Sequence, residues 1–136
     1  MYRKILVPMA LDHGISAQTL EIARALTGGT GEIHALHVFE APSGAAAAFI
    51  DDAISRKALE RARALLEEKT AGIEGVEAHL INGHTHRAII DFANERNVDC
   101  IVMGSHRPDL RDYLIGSTAA RVVQHAPCAV HVHRSY

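Results

Sequence analysis

Cysteine is scarce in this chain. There are two, Cys100 and Cys128, too few for the disulfide framework of a small secreted scaffold. No C-x-x-C occurs, so the thiolate pair common in structural zinc sites is missing. Neither sign of charge is in excess: 14 Lys+Arg against 16 Asp+Glu leave a formal −2. That balance excludes a bulk basic footprint for nucleic acid and a polybasic membrane anchor. No apolar run approaches the roughly 18 residues of a membrane span. The opening MYRKILVPMA has too short an apolar core for a signal peptide. No paired carboxylates and no G-x-S-x-G elbow offer a ready catalytic centre. The expectation is a cytoplasmic protein that binds neither nucleic acid nor membrane and is not a turnover enzyme.

What is present is ordinary globular material, 48% hydrophobic and 22% charged over 136 residues. A single domain over 1–136 is expected. A chain of this size buries about 68% of its unfolded surface, enough for a core without cross-links. Lys4–Ala10 (KILVPMA) reads as a buried strand. Ser16 looks like a helix N-cap, with Leu20, Ala23 and Leu26 at helical spacing and Gly28-Gly29 as the stop. Glu32–Phe39 is a second strand. Small residues over 41–48 read as a flexible connection. A helix is predicted from Phe49 to Thr70, with Ile54, Ala58, Ala62 and Leu65 as its apolar stripe. Val76–Asn82, then a helix over His86–Arg96, then Asp99–Gly104 continue the alternation. A helix from Gly116-Ser117-Thr118 to His125 and a strand at Ala129–His133 complete it. Such β-α alternation predicts an α/β fold, an open five-stranded parallel sheet with helices on both faces.

In open sheets of this kind, ligands sit beyond the carboxyl ends of the strands, where strand order reverses. Pro8–Asp12 follows the first strand there, and Gly104–Asp109 the fourth. Gly116-Ser117-Thr118 opens a helix, whose unpaired N–H groups and partial positive charge suit a phosphate. The plainer alternative is that Ser117 only caps that helix.

At this point the sequence resembles the universal stress protein family. The likeness is carried by KILVP, by HVF at the end of the second strand, and by IVMGSHRPDLRDYLIGSTAARVVQHAPCAVHVHR. The SHRPD and YLIGS wording is similar to the single-domain branch typified by bacterial universal stress proteins F and G. The resemblance implies a Rossmann-like sheet in the order 3-2-1-4-5, of the adenine nucleotide alpha hydrolase-like type. It also implies binding of ATP or a related adenine nucleotide, with Mg2+ as the accompanying ion. Family positions that touch the nucleoside match Pro8, Met9, Ala10, Val38 and Met103; the phosphate end matches Gly104, His106, Gly116, Ser117 and Thr118. The family pattern Gly-x-x-Gly-x9-Gly-(Ser/Thr) begins at Gly104 and closes at Gly116-Ser117. Its middle glycine is Arg107 here, and the loop is one residue shorter. Arg107 either bonds phosphate or fills the space phosphate would take. The family usually places Asp where this chain has Ala10, and Asp12 lies two residues further on. The resemblance further implies a homodimer through the edge strand around Val130–His133. The alternative function is a dimeric interaction module of the same family without nucleotide.

Three other features compete. The chain has ten histidines, including H-x-H at His84/His86 and His131/His133. In a strand, residues i and i+2 share a face, yet surface or interface histidines explain both pairs, and no metal site is expected. Cys100 reads as core, with no identifiable base to make either cysteine a nucleophile. His106 reads as a positioning residue rather than a base. Asp109 and Asp112 read as part of a solvated loop, with help in holding Mg2+ as the alternative.

Overall fold

The computed structural model describes residues 1–40, 52–105 and 115–134. Along them run β1 (Lys4–Pro8), α1 (Ala17–Thr27), β2 (Glu32–Phe39), α2 (Asp52–Thr70), β3 (Val76–Asn82), α3 (Thr85–Glu95), β4 (Cys100–Ser105), α4 (Ser117–His125) and β5 (Ala129–Arg134). Every strand pairing is parallel, in the order β3-β2-β1-β4-β5. The order therefore reverses between β1 and β4. These two pair only at Ile5–Cys100 and Leu6–Ile101, the shortest of the four ladders.

The central strands are apolar without alternation because helices cover both faces. Leu6, Leu36, Val38, Ile101 and Met103 pack under Ile89, Phe92 and Ala93 of α3 and Ala119 and Val122 of α4. On the other face Ile5, Val7, Cys100 and Val102 meet Ala23 of α1. Beside them, Met9 and Ala35 meet Leu66 of α2.

Local chemistry sets the ends. Ser16 Oγ accepts from the Thr19 N–H at 3.1 Å and caps α1, as its sequence predicts. Gly28 closes that helix at φ +67°, a left-handed conformation that costs glycine little. At the amino end of the sheet, the Asp99 carboxylate accepts from the N–H groups of Arg3 (2.8 Å) and Lys4 (2.9 Å). The Asp99 N–H returns a bond to the Lys4 carbonyl at 3.0 Å. One side chain thus ties the start of β1 to the entry of β4.

The apolar stripe expected along α2 needs correction. Ala62, Leu66 and Thr70 are the buried residues, whereas Ile54 is 56% exposed. The helix packs on β2 and β3, and its buried residues all lie in its carboxy-terminal half, Leu66 among them against Met9 and Ala35. The connection expected over 41–48 lies outside the described residues.

Candidate functional site

Pro8 ends β1 at the reversal point. The next residue is held by backbone: the Met9 N–H donates to the Leu36 carbonyl at 2.9 Å, and His37 Nδ1 donates to the Met9 carbonyl at 3.0 Å. The Met9 side chain is buried beneath α2 with Ala35 and Leu66. Ala10 is exposed, and its carbonyl accepts from the Gly14 N–H at 2.9 Å, closing a tight turn. Gly14 makes that turn at φ +67°. Asp12 sits on the turn in water. Its Oδ1 accepts from the His13 N–H at 3.1 Å, and its Oδ2 lies 3.2 Å from His13 Nε2. Its carboxylate is engaged by its own neighbour.

Across the reversal, Met103 and Gly104 lie near the end of β4, which closes at Ser105. Met103 is buried in the cluster that also holds Val38, from the end of β2, and Ala119, from the first turn of α4. Gly116 is the N-cap of α4, and among the described residues no side-chain cap bond closes this end. The sequence alternative that Ser117 is the cap is therefore corrected: Ser117 is the first helical residue and is exposed. Gly116 takes extended backbone there (φ −61°, ψ 155°), which leaves no side-chain oxygen to fold back on the helix start.

The other described helix starts differ. Ser16 closes α1. The Glu40 carboxylate accepts from the Thr85 N–H (2.8 Å) and Thr85 Oγ1 (2.7 Å) and closes α3. Those two bonds hold the Glu40 carboxyl below its ordinary pKa. At α4, among the described residues, the partial positive charge of the helix start meets no such side chain.

The fold thus brings Pro8, Met9, Ala10, Met103, Gly104, Gly116, Ser117 and Thr118 to one end of the sheet, with Val38 one strand away. Asp12 stands apart on its turn. His106, Arg107, Asp109 and Asp112 lie outside the described residues.

One group at this end escaped the sequence reading. Ser16 Oγ lies 2.8 Å from Thr19 Oγ1, which lies 2.7 Å from His133 Nε2. A Cβ on Gly104 would stand 3.6 Å from the same imidazole. His133 is 7% exposed, and its Nδ1 is buried with no partner among the described residues. Burial holds this imidazole below its ordinary pKa, and His131 adds in the same direction. The pairing of His131 with His133 as surface residues is corrected: they share a face, but α1 covers His133 and leaves His131 exposed. Among the described residues, neither H-x-H pair gathers a third ligating group. Both cysteines are free. Burial pushes the Cys100 thiol up to about 11 and raises that of Cys128, the reverse of what a nucleophile needs.

The profile of the universal stress protein family matches residues 1–134. The chain is 26% identical over 144 residues to universal stress protein G of Shigella flexneri, covering 98% of this chain and 100% of the relative. Among solved structures it is similar to the hypothetical protein MJ0577, at a TM-score of 0.78 and 27% identity over 100% of this chain and 98% of that one. It shares its fold with the universal stress protein of Archaeoglobus fulgidus solved in complex with dAMP, at a TM-score of 0.56 and 21% identity, with 96% and 97% covered.

Proposed function

The chain belongs to the universal stress protein family, and from that premise we propose that it binds ATP or a related adenine nucleotide between the ends of β1 and β4. In this reading it is a cytoplasmic stress-response factor, signalling or protective, rather than a turnover enzyme. The observation that carries the reading is the α4 start at the reversal point, whose N-cap is a glycine. Its N–H groups receive phosphate, with the Ser117 and Thr118 hydroxyls beside them. The backbone of Pro8–Ala10 together with Val38 and Met103 receives the nucleoside, while Gly104 permits close approach. By the family likeness, His106 and Arg107 belong to the phosphate end, with Mg2+ as the accompanying ion. The dAMP bound by the Archaeoglobus fulgidus relative supports a site for adenine nucleotides in this fold.

Ala10 supplies no carboxylate, and Asp12 is paired with His13. A missing hydrogen bond to a charged group costs about 1.5–3 kcal/mol, on the order of tenfold to a hundredfold in affinity. The site is weaker for it and still fills at millimolar nucleotide. Among the described residues at this end, none is placed to activate water.

Thermal melts with ATP, ADP, AMP and inorganic phosphate test the proposal, since a ligand of the folded state stabilises by RT ln(1 + [L]/Kd). The expected result is a rise in Tm with ATP that Gly116→Val abolishes. No shift with any of the four at millimolar concentration favours the second reading, a dimeric interaction module. That reading rests on β5, which lies last in the sheet, and on Val123 of the adjacent α4, half exposed. In both readings the chain forms a homodimer through Val130–His133. Among the described residues, no helix is long and apolar enough to cross a membrane.

A further inference from the structure

At the opposite end of the sheet, a second group of polar side chains converges under α3. The ladder sets His34 beside Glu77 and Leu36 beside His79, so His34, Glu77 and His79 project from one face of β2 and β3. His34 Nδ1 lies 2.9 Å from His79 Nε2 and 3.5 Å from a Glu77 carboxylate oxygen. His79 Nε2 lies 3.9 Å from the other oxygen of Glu77. The remaining nitrogen of His34, Nε2, is 2.9 Å from Glu32.

We propose that His34, His79 and Glu77 form a binding site for a divalent transition cation of the zinc class, with Glu32 as its positioning residue. Metal bonds of about 2.0–2.2 Å at tetrahedral angles set ligand atoms roughly 3.3–3.5 Å apart. The three observed separations straddle that range. Glu32 accepts the Nε2 proton of His34 and thereby fixes the lone pair on Nδ1, the atom aimed at His79. A carboxylate behind a ligating imidazole is the usual way such a ring is oriented. His79 then carries its proton on Nδ1 and offers Nε2 to the ion, with no net proton released.

The rings are held and the third ligand is free to adjust. The side chains of His34 and His79 are 7% and 13% exposed, against 66% for Glu77. The Phe92 ring packs edge-on against His79, centroids 5.0 Å apart, and Arg96 lies over that same ring. Glu32 also pairs with Lys4 at 3.9 Å, whereas both ion pairs of Glu77 are with the two histidines. A cleft of about 490 Å3 that includes Gly31, Gly75, His34 and Glu77 opens onto the group and supplies an entry path and room for a water ligand. Two imidazoles select zinc, cobalt or nickel over calcium and magnesium.

The test is titration of the full chain with Zn2+ against a chromophoric chelator, with Co2+ as a spectroscopic substitute. One ion is expected per chain, with the visible absorption of tetrahedral Co2+. Affinity is expected to vanish in His79→Ala, to fall roughly tenfold to a hundredfold in Glu32→Gln, and to stay unchanged in the double variant His84→Ala/His86→Ala. His79 is largely buried, so Glu77→Gln at an exposed side chain repeats the test without opening the core, and it too weakens binding. Binding that survives Glu77→Gln and His79→Ala, binding lost with His84 and His86 instead, or no binding of Zn2+ by the unaltered chain each overturns the proposal.

Discussion

His133 Nε2 and the hydroxyl of Thr19 stand 2.7 Å apart across 114 residues of chain. The bond joins the last strand to the first turn of α1, directly against Gly104. Whichever of the two donates, the other imidazole nitrogen stays buried without a partner among the described residues.

That arrangement makes acid costly. The folded-state pKa of His133 is depressed by burial, with His131 adding to it. Its contribution to stability is complete above the ordinary value of 6.5 and is lost as pH falls through the folded value. The urea midpoint of the chain falls between pH 7.5 and 5, and the fall is shallower in His133→Gln. His79 titrates with the same sign, so the readout is the difference between the two proteins. Parallel slopes would sink the prediction.

Asp99→Ala removes the clasp between β1 and β4. Burial opposes the Asp99 charge, but the N–H groups of Arg3 and Lys4 prevail and hold its carboxyl below the ordinary value. Loss of these bonds costs about 1.5–3 kcal/mol, measured by urea denaturation at pH 7. The same carboxylate supports the fold above its ordinary pKa and ceases to do so as pH falls through its depressed one, so the deficit of the variant shrinks in strong acid.

Gly31 tolerates no side chain. A Cβ there would stand 2.9 Å from the carbonyl oxygens of Tyr2 and Arg3 and 2.9 Å from Thr27 Cβ. Two of these are backbone atoms that cannot swing away. Gly31→Ala is expected to destabilise by about 1–3 kcal/mol. At Gly104 the added carbon meets only an ordinary contact, and Gly104→Ala changes stability by less than about 0.5 kcal/mol. Equal losses at the two glycines would contradict this.

Ala10→Asp restores the carboxylate that the family resemblance associates with the nucleoside. Calorimetric titration with ATP should show roughly a tenfold to a hundredfold gain in affinity. Unchanged affinity would place the nucleoside elsewhere.

Val130→Pro deletes a backbone donor from the edge strand β5. Sizing chromatography should show the dimer weakened. A folded variant that still elutes as a dimer rules out this interface.

The strand sequence was legible because strand-forming runs stand between glycine turn signals: Glu32–Phe39 after Gly31 and Val76–Asn82 before Gly83 stand at their expected bounds. The reversal point, and the placing of Gly104 and Gly116 near it, followed from alternation and family likeness. Other features needed three dimensions. His34 and His79 are 45 residues apart and meet only through the register of β2 with β3, whereas the H-x-H pairs stand out to the eye and gather nothing further. His133 looked like the surface twin of His131 because a period of two describes direction but not what lies overhead. Ile54 fits the helical stripe, but the buried residues of α2 lie further along.

The two-position ladder of β1 with β4 is the shortest pairing in the described sheet. Three strands lie on one side of it and two on the other, so few backbone bonds join the two halves along it. A molecule lodged between the parted strand ends would stitch the halves together, and the resulting stiffening is a signal that a second protein can read without touching the bound molecule.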